Sequence, residues 1–276
     1  MDINNEIDEK MRVTINSDSA YKLREYIHIL TKSRASDAKN GDLNMLIDPS
    51  KKKVKFLVIE NELETEVVVP IDEIWLKEDC PLSICRFLLN LKNFDIYLQL
   101  RNEFEYRAIS FSVTTDSDFM MKIYVEEYGL CCNLRLFKQT EDVFGIGKLR
   151  KRLWKFHISD KLCEGFRDVI FDLAKKNPMS SIYIEKLPFS MLGIRDISLG
   201  YCKLHIATEE DGIENHTLMS YSLLSLSKYL KLFNKLDKLN FQLNENGSLI
   251  ATKKEGRISI IGRFYLILEE QEELEN

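Results

Sequence analysis

Short extended segments separated by turn-forming residues constrain this chain more than any other feature of its sequence. Near the N-terminus, segments rich in Val, Ile and Leu occupy residues 42–48, 52–60 and 64–76, and short polar stretches, DPSKKK and ENE, separate them. Parallel neighbours need a crossover of about a dozen residues or more, so links this short join antiparallel strands. The sequence therefore predicts antiparallel sheets.

Four segments with a helical spacing of apolar residues interrupt these strands. The first places Leu23, Ile27 and Leu30 on one face. The predicted helices are residues 20–34, 82–92, 161–176 and 223–238. The segment after the second helix, residues 94–101 (FDIYLQLR), is predicted to be a strand. Strand, helix and several strands thus recur about four times, with two repeats on each side of residues 139–152, QTEDVFGIGKLRKR, which favours a two-domain α+β protein.

Composition limits the classes of function. The chain has 276 residues, of which 45% are hydrophobic, and its longest apolar runs are interrupted by charges well short of a membrane helix. Its start, MDINNEIDEK, lacks the basic and apolar parts of a secretory signal, so an intracellular protein is expected. Six cysteines form no CxxC pair, which favours buried thiols and no metal site.

Positive charge is concentrated on the predicted helices. Counted over the ranges above, they carry net charges of +3, +2, +1 and +3, whereas the whole chain carries −5. In the last helix, Lys228, Lys231, Lys235 and Lys238 share one stripe. Such faces suit sequence-independent contact with phosphates, although Lys-rich exposed helices also serve solubility.

An enzyme is the first alternative. The GIGK sequence at Gly145 is a fragment of a phosphate-binding loop, but it lacks the GxxxxGK[ST] spacing and the strand-to-helix context. His157, His205 and His216 have no nucleophile nearby in sequence. No catalytic residue and no cofactor are therefore predicted.

The order of elements resembles the sliding-clamp family, which includes proliferating cell nuclear antigen and the subunits of the DNA damage checkpoint clamp. The most specific stretch is residues 217–273. It resembles that family's closing strand, a helix with a Tyr-Leu-x-x-Phe core, a hairpin, an aromatic final strand and an acidic tail. Tyr229, Leu230 and Phe233 stand at the core positions.

The resemblance implies a DNA clamp fold, with two similar domains that each carry two helices on antiparallel sheets. It divides the chain into a polar extension (1–10), a first clamp domain (11–138), a connector (139–153), a second clamp domain (154–268) and an acidic tail (269–276). It also implies a three-subunit ring that encircles duplex DNA independently of sequence, with a clamp loader and client repair and checkpoint proteins as partners. No catalytic activity and no membrane association are implied, and a nuclear location is expected.

The resemblance also nominates residues. The expected DNA-facing residues are Lys22, Arg24, Lys32, Arg86, Lys161, Arg167, Lys228, Lys231 and Lys235. The expected partner groove is formed by Val143, Phe144, Ile146 and Tyr265, for which connector or core packing is the alternative interpretation. Residues 130–138 and 201–208 are expected to pair between subunits.

Departures from the replication clamp favour a checkpoint clamp with non-identical subunits. The connector is basic at GKLRKR, and RFYLILEE lacks the Ala-Pro step that follows the final tyrosine pair in that clamp. Residues 155–184 resemble the Rad-one type of subunit, and the MRVTIN start is similar to the Hus-one type. A homotrimeric replication processivity clamp, or a clamp-fold scaffold that does not encircle DNA, remains as an alternative.

Overall fold

The computed structural model divides into two compact units. The first comprises residues 1–59, 66–147 and 254–260, and the second comprises residues 60–65, 148–253 and 261–276. The structure describes residues 9–33, 42–60, 62–77, 84–99, 108–114, 120–125, 130–139, 143, 152–179, 181–187, 191–196, 200–205, 207–208, 218–233 and 238–266. Residues 1–8 of the predicted extension and the whole predicted acidic tail lie outside these ranges, and the predicted domain boundaries stay predictions.

The first unit begins with a strand and a helix, continues through five strands to a second helix, and ends in further strands. Its elements are β1 (Glu9–Ile15), α1 (Ser17–Ser33), β2 (Asp42–Asp48), β3 (Lys53–Glu60), β4 (Leu63–Pro70), β5 (Glu73–Leu76), β6 (Cys85–Asn90), α2 (Leu91–Gln99), β7 (Ile109–Thr114), β8 (Met120–Val125), β9 (Leu130–Arg135) and β10 (Phe137–Lys138). One sheet has the order β5-β1-β7-β8-β9, and a second runs β10-β6-β2-β3-β4. In this unit β1 pairs with β5 and β7, β2 with β3 and β6, β8 with β7 and β9, and β10 with β6, and all these pairs are antiparallel, as predicted.

Two helices that lie side by side pack on the sheets of the first unit. Asn16 precedes α1, and its side-chain oxygen accepts a hydrogen bond from the Ser19 amide at 2.9 Å, which satisfies one of the free amides of the first turn. The buried face of α1 carries Ser19, Ala20, Leu23, Tyr26, Ile27 and Leu30, which confirms the predicted apolar spacing. Phe94 of α2 stacks on Phe56 of β3, with ring centroids 5.5 Å apart.

The prediction of a helix over residues 82–92 is wrong, and so is the strand predicted over residues 94–101. Residues 85–90 form β6, which pairs antiparallel with β2, and the helix α2 begins only at Leu91. Apolar residues at 84, 87, 88 and 91 fit a helical spacing, but the alternation that buries Phe87 and Leu89 decides in favour of a strand. The side chain of Asn90 accepts a hydrogen bond from the Asn93 amide at 2.9 Å and starts the helix there.

The second unit repeats the order of the first. Its elements are β11 (Arg152–Ile158), α3 (Asp160–Lys176), β12 (Ser181–Leu187), β13 (Met191–Asp196), β14 (Gly200–His205), β15 (Ala207–Thr208), β16 (Leu218–Ser222), α4 (Leu223–Leu230), β17 (Leu239–Asn244), β18 (Leu249–Glu255) and β19 (Ile258–Phe264). Its sheets run β14-β13-β12-β16 and β19-β18-β17-β11-β15. By the bounds of the two units, β3, β4, β18 and β19 each have residues in both: residues 60–65 belong to the second unit and residues 254–260 to the first. Each unit is thus a strand, a helix, five strands, a helix and three strands, with the short β10 added in the first. The predicted recurrence is confirmed.

Aromatic residues fill the core of the second unit. Trp154 and Phe156 of β11 stack with their centroids 4.1 Å apart, and Phe156 stacks on Phe241 of β17 at 5.0 Å. A hairpin with Asn246 and Gly247 at its turn joins β17 to β18, and Gly247 has a φ of +76°, which L-residues with a side chain rarely adopt. The helices α3 and α4 lie side by side, as α1 and α2 do.

Candidate nucleic-acid interface

The net positive charge of the observed helices is much smaller than the net positive charge counted over the predicted helix ranges. Over the observed bounds the net charges are +1 for α1, 0 for α2, 0 for α3 and +1 for α4. The first turn of the observed α1 carries Asp18, an acid that is favourable at the positive end of a helix. The observed α4 ends before Lys231, so most of the lysines counted for it lie beyond the helix. The predicted contact with phosphates is therefore tested residue by residue and not by the net charge of each helix.

The exposed side of α1 carries three of the predicted DNA-facing residues, Lys22, Arg24 and Lys32. Lys32 is exposed in the last turn. The guanidinium carbon of Arg24 lies 5.1 Å from the ring centroid of Tyr21, a cation–π arrangement that holds it along the helix. The structure therefore places all three residues on one helix, and two of them engage neighbouring side chains.

Lys22 is held by two carboxylates. Its Nζ lies 3.1 Å from Glu25 Oε2, one turn along the helix, and 3.6 Å from Glu255 Oε2 at the end of β18. Burial alone would lower the pKa of Lys22, but the hydrogen bonds and charges of Glu25 and Glu255 outweigh it and raise that pKa. Lys22 is therefore a charged residue that already has anionic partners.

A carboxylate also fixes the start of α1, which precedes Lys22 in the chain. Asp72 accepts hydrogen bonds from the Asn16 amide at 2.9 Å and from Arg257. Burial opposes the ionisation of Asp72, but these hydrogen bonds dominate and hold its pKa below the ordinary value of 3.8. The anchored helix start lines a concave surface together with residues 255–258.

The second helix offers little positive charge. Lys92 is exposed, and the buried Asp95 accepts a hydrogen bond from His28 Nδ1 of α1, with 3.1 Å to Oδ2. Arg86 was predicted to face DNA from a helix, and that premise is wrong because Arg86 lies on β6, opposite Leu46 of β2. The strand assignment removes Arg86 from the helix layer.

On the third helix, one of the residues predicted to face DNA, Arg167, contacts the protein itself. Arg167 Nη1 donates a hydrogen bond to the carbonyl of Phe233 at 3.4 Å, and the side chain is mostly buried. Lys161 lies in the first turn of α3, and the structure describes only its backbone. Lys175 and Lys176 are exposed in the last turn, where positive charge favours the helix end.

The fourth helix confirms the predicted Tyr-Leu-x-x-Phe core and corrects the predicted length. Tyr229 is fully buried, and its hydroxyl donates to the Ala251 carbonyl at 3.2 Å. The helix ends at Leu230, because the next turn tightens and buries Leu232 and Phe233. The predicted stripe of four lysines is therefore wrong. Lys228 is helical, Lys231 is the exposed cap residue, and Lys235 lies outside the described residues.

Lys228 has an acidic partner distant in sequence. Its Nζ lies 2.7 Å from Glu60 Oε2, where Glu60 is the last residue of β3. Both side chains are mostly buried, with 28% and 16% of their surface exposed. Ion pairs shielded in this way are screened less by salt than exposed pairs.

The predicted partner groove is described only in part. Val143 has a 3₁₀-helical conformation and is half-buried, and Phe144 and Ile146 lie outside the described residues. Tyr265 donates a hydrogen bond from its hydroxyl to Glu64 Oε1 at 2.6 Å, and its amide donates to the Glu62 carbonyl at 3.0 Å. Tyr265 is thereby fixed within the second unit, and the groove stays a prediction.

The segments predicted to pair between subunits end at sheet edges. In the described strands, β9 pairs with β8 alone and β14 with β13 alone. Each predicted segment is two strands rather than one, since residues 137–138 pair with β6 and residues 207–208 pair with β11. Within the described residues β9 and β14 thus each have an unpaired edge, and an unpaired edge is a template for a further strand.

Comparison with known proteins identifies this architecture. The sequence matches no protein-family model and no curated protein. Proliferating cellular nuclear antigen from Entamoeba histolytica is similar in structure, with a TM-score of 0.66 and 13% identity over 94% of this chain and 99% of that chain. The chain has the sliding-clamp fold.

Two further clamp structures agree over nearly the whole length. PCNA from Thermococcus kodakaraensis has a TM-score of 0.65 and 12% identity over 93% of this chain and 100% of that chain. The PCNA2-PCNA3 complex from Sulfolobus tokodaii has a TM-score of 0.60 and 12% identity over 94% of this chain and 100% of that chain. The predicted fold class is therefore confirmed.

The sequence analysis missed several residues that contact or position the predicted DNA-facing residues. Glu60 and Glu255 were not singled out, because their lysine partners lie far away along the chain. The caps formed by Asn16 and Asn90 were a usable signal, since Asn commonly precedes a helix. Over the described residues, no cluster of His, Cys, Asp and Glu could hold a metal ion. No helix in those same ranges is long and apolar enough to cross a membrane.

Proposed function

We propose that the chain is a subunit of a ring-shaped DNA sliding clamp that encircles duplex DNA. The observation that carries the proposal is the repeated order of strands and helices in two units, which aligns over nearly the full length with solved clamps. Helices that line a ring present side chains to phosphates without reading bases, so the expected binding is independent of sequence. The chain acts as a tether and not as an enzyme.

Ring closure uses the free edges of β9 and β14. One edge lies in each unit, and the two differ, so association is head to tail and closes when the rotation between subunits permits. Backbone hydrogen bonds between the edges supply the junction.

The ring is a heterotrimeric DNA damage checkpoint clamp in this proposal. Its support is the resemblance of residues 155–184 to the Rad-one type and of the MRVTIN start to the Hus-one type. The solved complex of PCNA2 with PCNA3 supports a ring of non-identical subunits. The partners are two other clamp subunits, a clamp loader, and repair and checkpoint proteins that bind near Val143 and Tyr265, and the location is the nucleus.

Retention on DNA tests the topological mechanism. The chain, assembled with its co-purifying subunits and loaded onto nicked circular plasmid, is expected to stay bound and to slide off after the plasmid is linearised. The measurement is the protein that co-elutes with DNA in gel filtration before and after the cut. Equal retention on circular and linear DNA would favour a clamp-fold scaffold that does not encircle DNA.

A further inference from the structure

Two of the helix lysines proposed to face DNA are held by glutamates from hairpin ends. Glu60 ends β3, just before β4 begins, and it binds Lys228 of α4. Glu255 ends β18, just before β19 begins, and it binds Lys22 of α1. The two contacts arise in different units and from different hairpins, so one local feature does not explain both.

The Lys228 pair is the stronger of the two. Its atoms are 2.7 Å apart and its side chains are mostly buried, so the pair is tightly formed and weakly screened. Lys22 is 41% exposed, lies 3.6 Å from Glu255, and keeps a second carboxylate, Glu25, at 3.1 Å. Loss of Glu255 would therefore release Lys22 only in part.

We propose that Glu60 and Glu255 are electrostatic brakes, which compete with DNA phosphates for Lys228 and Lys22 and keep the contact between the ring and DNA weak. This inference rests on the proposed clamp function. A lysine that contacts a phosphate must first break its ion pair with the carboxylate. This loss reduces the binding free energy that each phosphate contact contributes. A ring retained by its topology needs no tight local contact, and strong phosphate contacts would slow its movement along DNA.

Charge-neutral variants of the full chain, assembled with its co-purifying subunits, test the brakes. The affinity for a linear duplex is measured by titration at several salt concentrations between 50 and 200 mM. Glu60→Gln is expected to bind more tightly at low salt. The slope of log K against log salt should steepen by at most about 0.9, which is at most about a 3.5-fold greater loss of affinity across that range. Glu255→Gln should give a smaller change, because Glu25 still holds Lys22.

The matched controls separate a brake from a general charge effect. Glu73→Gln removes the same charge at an exposed site on β5 and should leave the slope unchanged. Lys228→Gln should weaken binding, and Glu60→Gln should give a clearly smaller gain in the Lys228→Gln background than in the wild type. This non-additivity is the signature of competition for Lys228.

Three outcomes overturn the proposal. If Glu60→Gln behaves as Glu73→Gln does while Lys228→Gln weakens binding, Lys228 contacts DNA but Glu60 does not restrain it. If Glu60→Gln tightens binding equally in the Lys228→Gln background, its effect does not act through Lys228. If the wild type and every variant fail to bind DNA, the proposed function itself fails, and the brake fails with it.

Discussion

At the residue scale, close packing around Tyr229 sets what the second unit tolerates. Tyr229 meets Phe233 and Phe264 edge to face, with centroids 5.2 and 5.6 Å away, and its ring lies against Gly262 of β19. Burial raises the pKa of the Tyr229 hydroxyl, which stays a hydrogen-bond donor to Ala251. Gly262 is needed here for space.

Substitutions at two glycines should change the stability of the chain in opposite directions. A Cβ at Gly262 would lie 2.6 Å from the Tyr229 ring, so Gly262→Ala is expected to destabilise the chain by about 1–3 kcal/mol. A Cβ at Gly165, inside α3, meets nothing within 4 Å, so Gly165→Ala should stabilise it by roughly 0.5–1 kcal/mol through helix propensity. Denaturant unfolding measures both. Equal effects would refute the packing explanation.

Asp72 should make stability depend on pH in the acid range. The pKa of Asp72 in the folded state lies below the ordinary value of 3.8. The ionised carboxylate therefore stabilises the fold fully above pH 3.8, and this stabilisation is lost as the pH falls through the folded-state pKa. Asp72→Asn should therefore be less stable than the wild type near neutral pH, with the difference vanishing in strong acid. Denaturation across a pH series measures this, and Arg257→Gln should remove part of the same dependence. A difference that persists in strong acid would point to steric damage.

At the element scale, two helices begin after a serine, and only one of these serines caps its helix. Ser222 precedes α4, and its hydroxyl accepts the Ser225 amide at 3.2 Å. Ser159 precedes α3 in the same extended conformation but makes no such bond. The two serines are a matched pair, since only one satisfies an amide of the first turn.

Alanine at these two positions tests that difference. Ser222→Ala is expected to cost about 1 kcal/mol of unfolding free energy, because an amide of α4 loses its partner. Ser159→Ala should cost much less. Thermal and denaturant unfolding compare them, and a larger loss at Ser159 would show that capping does not explain the stability of α4.

At the scale of the whole molecule, β9 in the first unit and β14 in the second each end the order of their sheet among the described strands. If the ring is made of non-identical subunits, its junctions pair β9 and β14 with edges of other chains, and the purified chain alone should remain a monomer of 32.3 kDa. Native mass spectrometry measures this directly. A species of three copies would instead identify a homotrimer and favour the replication clamp alternative.

The sequence by itself determined the antiparallel α+β class, the recurrence of the elements and the Tyr229, Leu230 and Phe233 core. These features depend on local patterns, namely the spacing of apolar residues and the short polar turns between strands, which can be read directly from the sequence. Only the tertiary structure decided that residues 85–90 are a strand, because pairing with β2 outweighs an ambiguous local pattern.

Tertiary structure also decided which basic residues are engaged. The end of α4 follows from burial of Leu232 and Phe233 against the sheet, which turns the chain away from the predicted lysine stripe. Lys228 and Glu60 are separated by 168 positions, so no local pattern could pair them. Charge can be counted along a chain, but the partner of each charge is fixed only when distant segments meet.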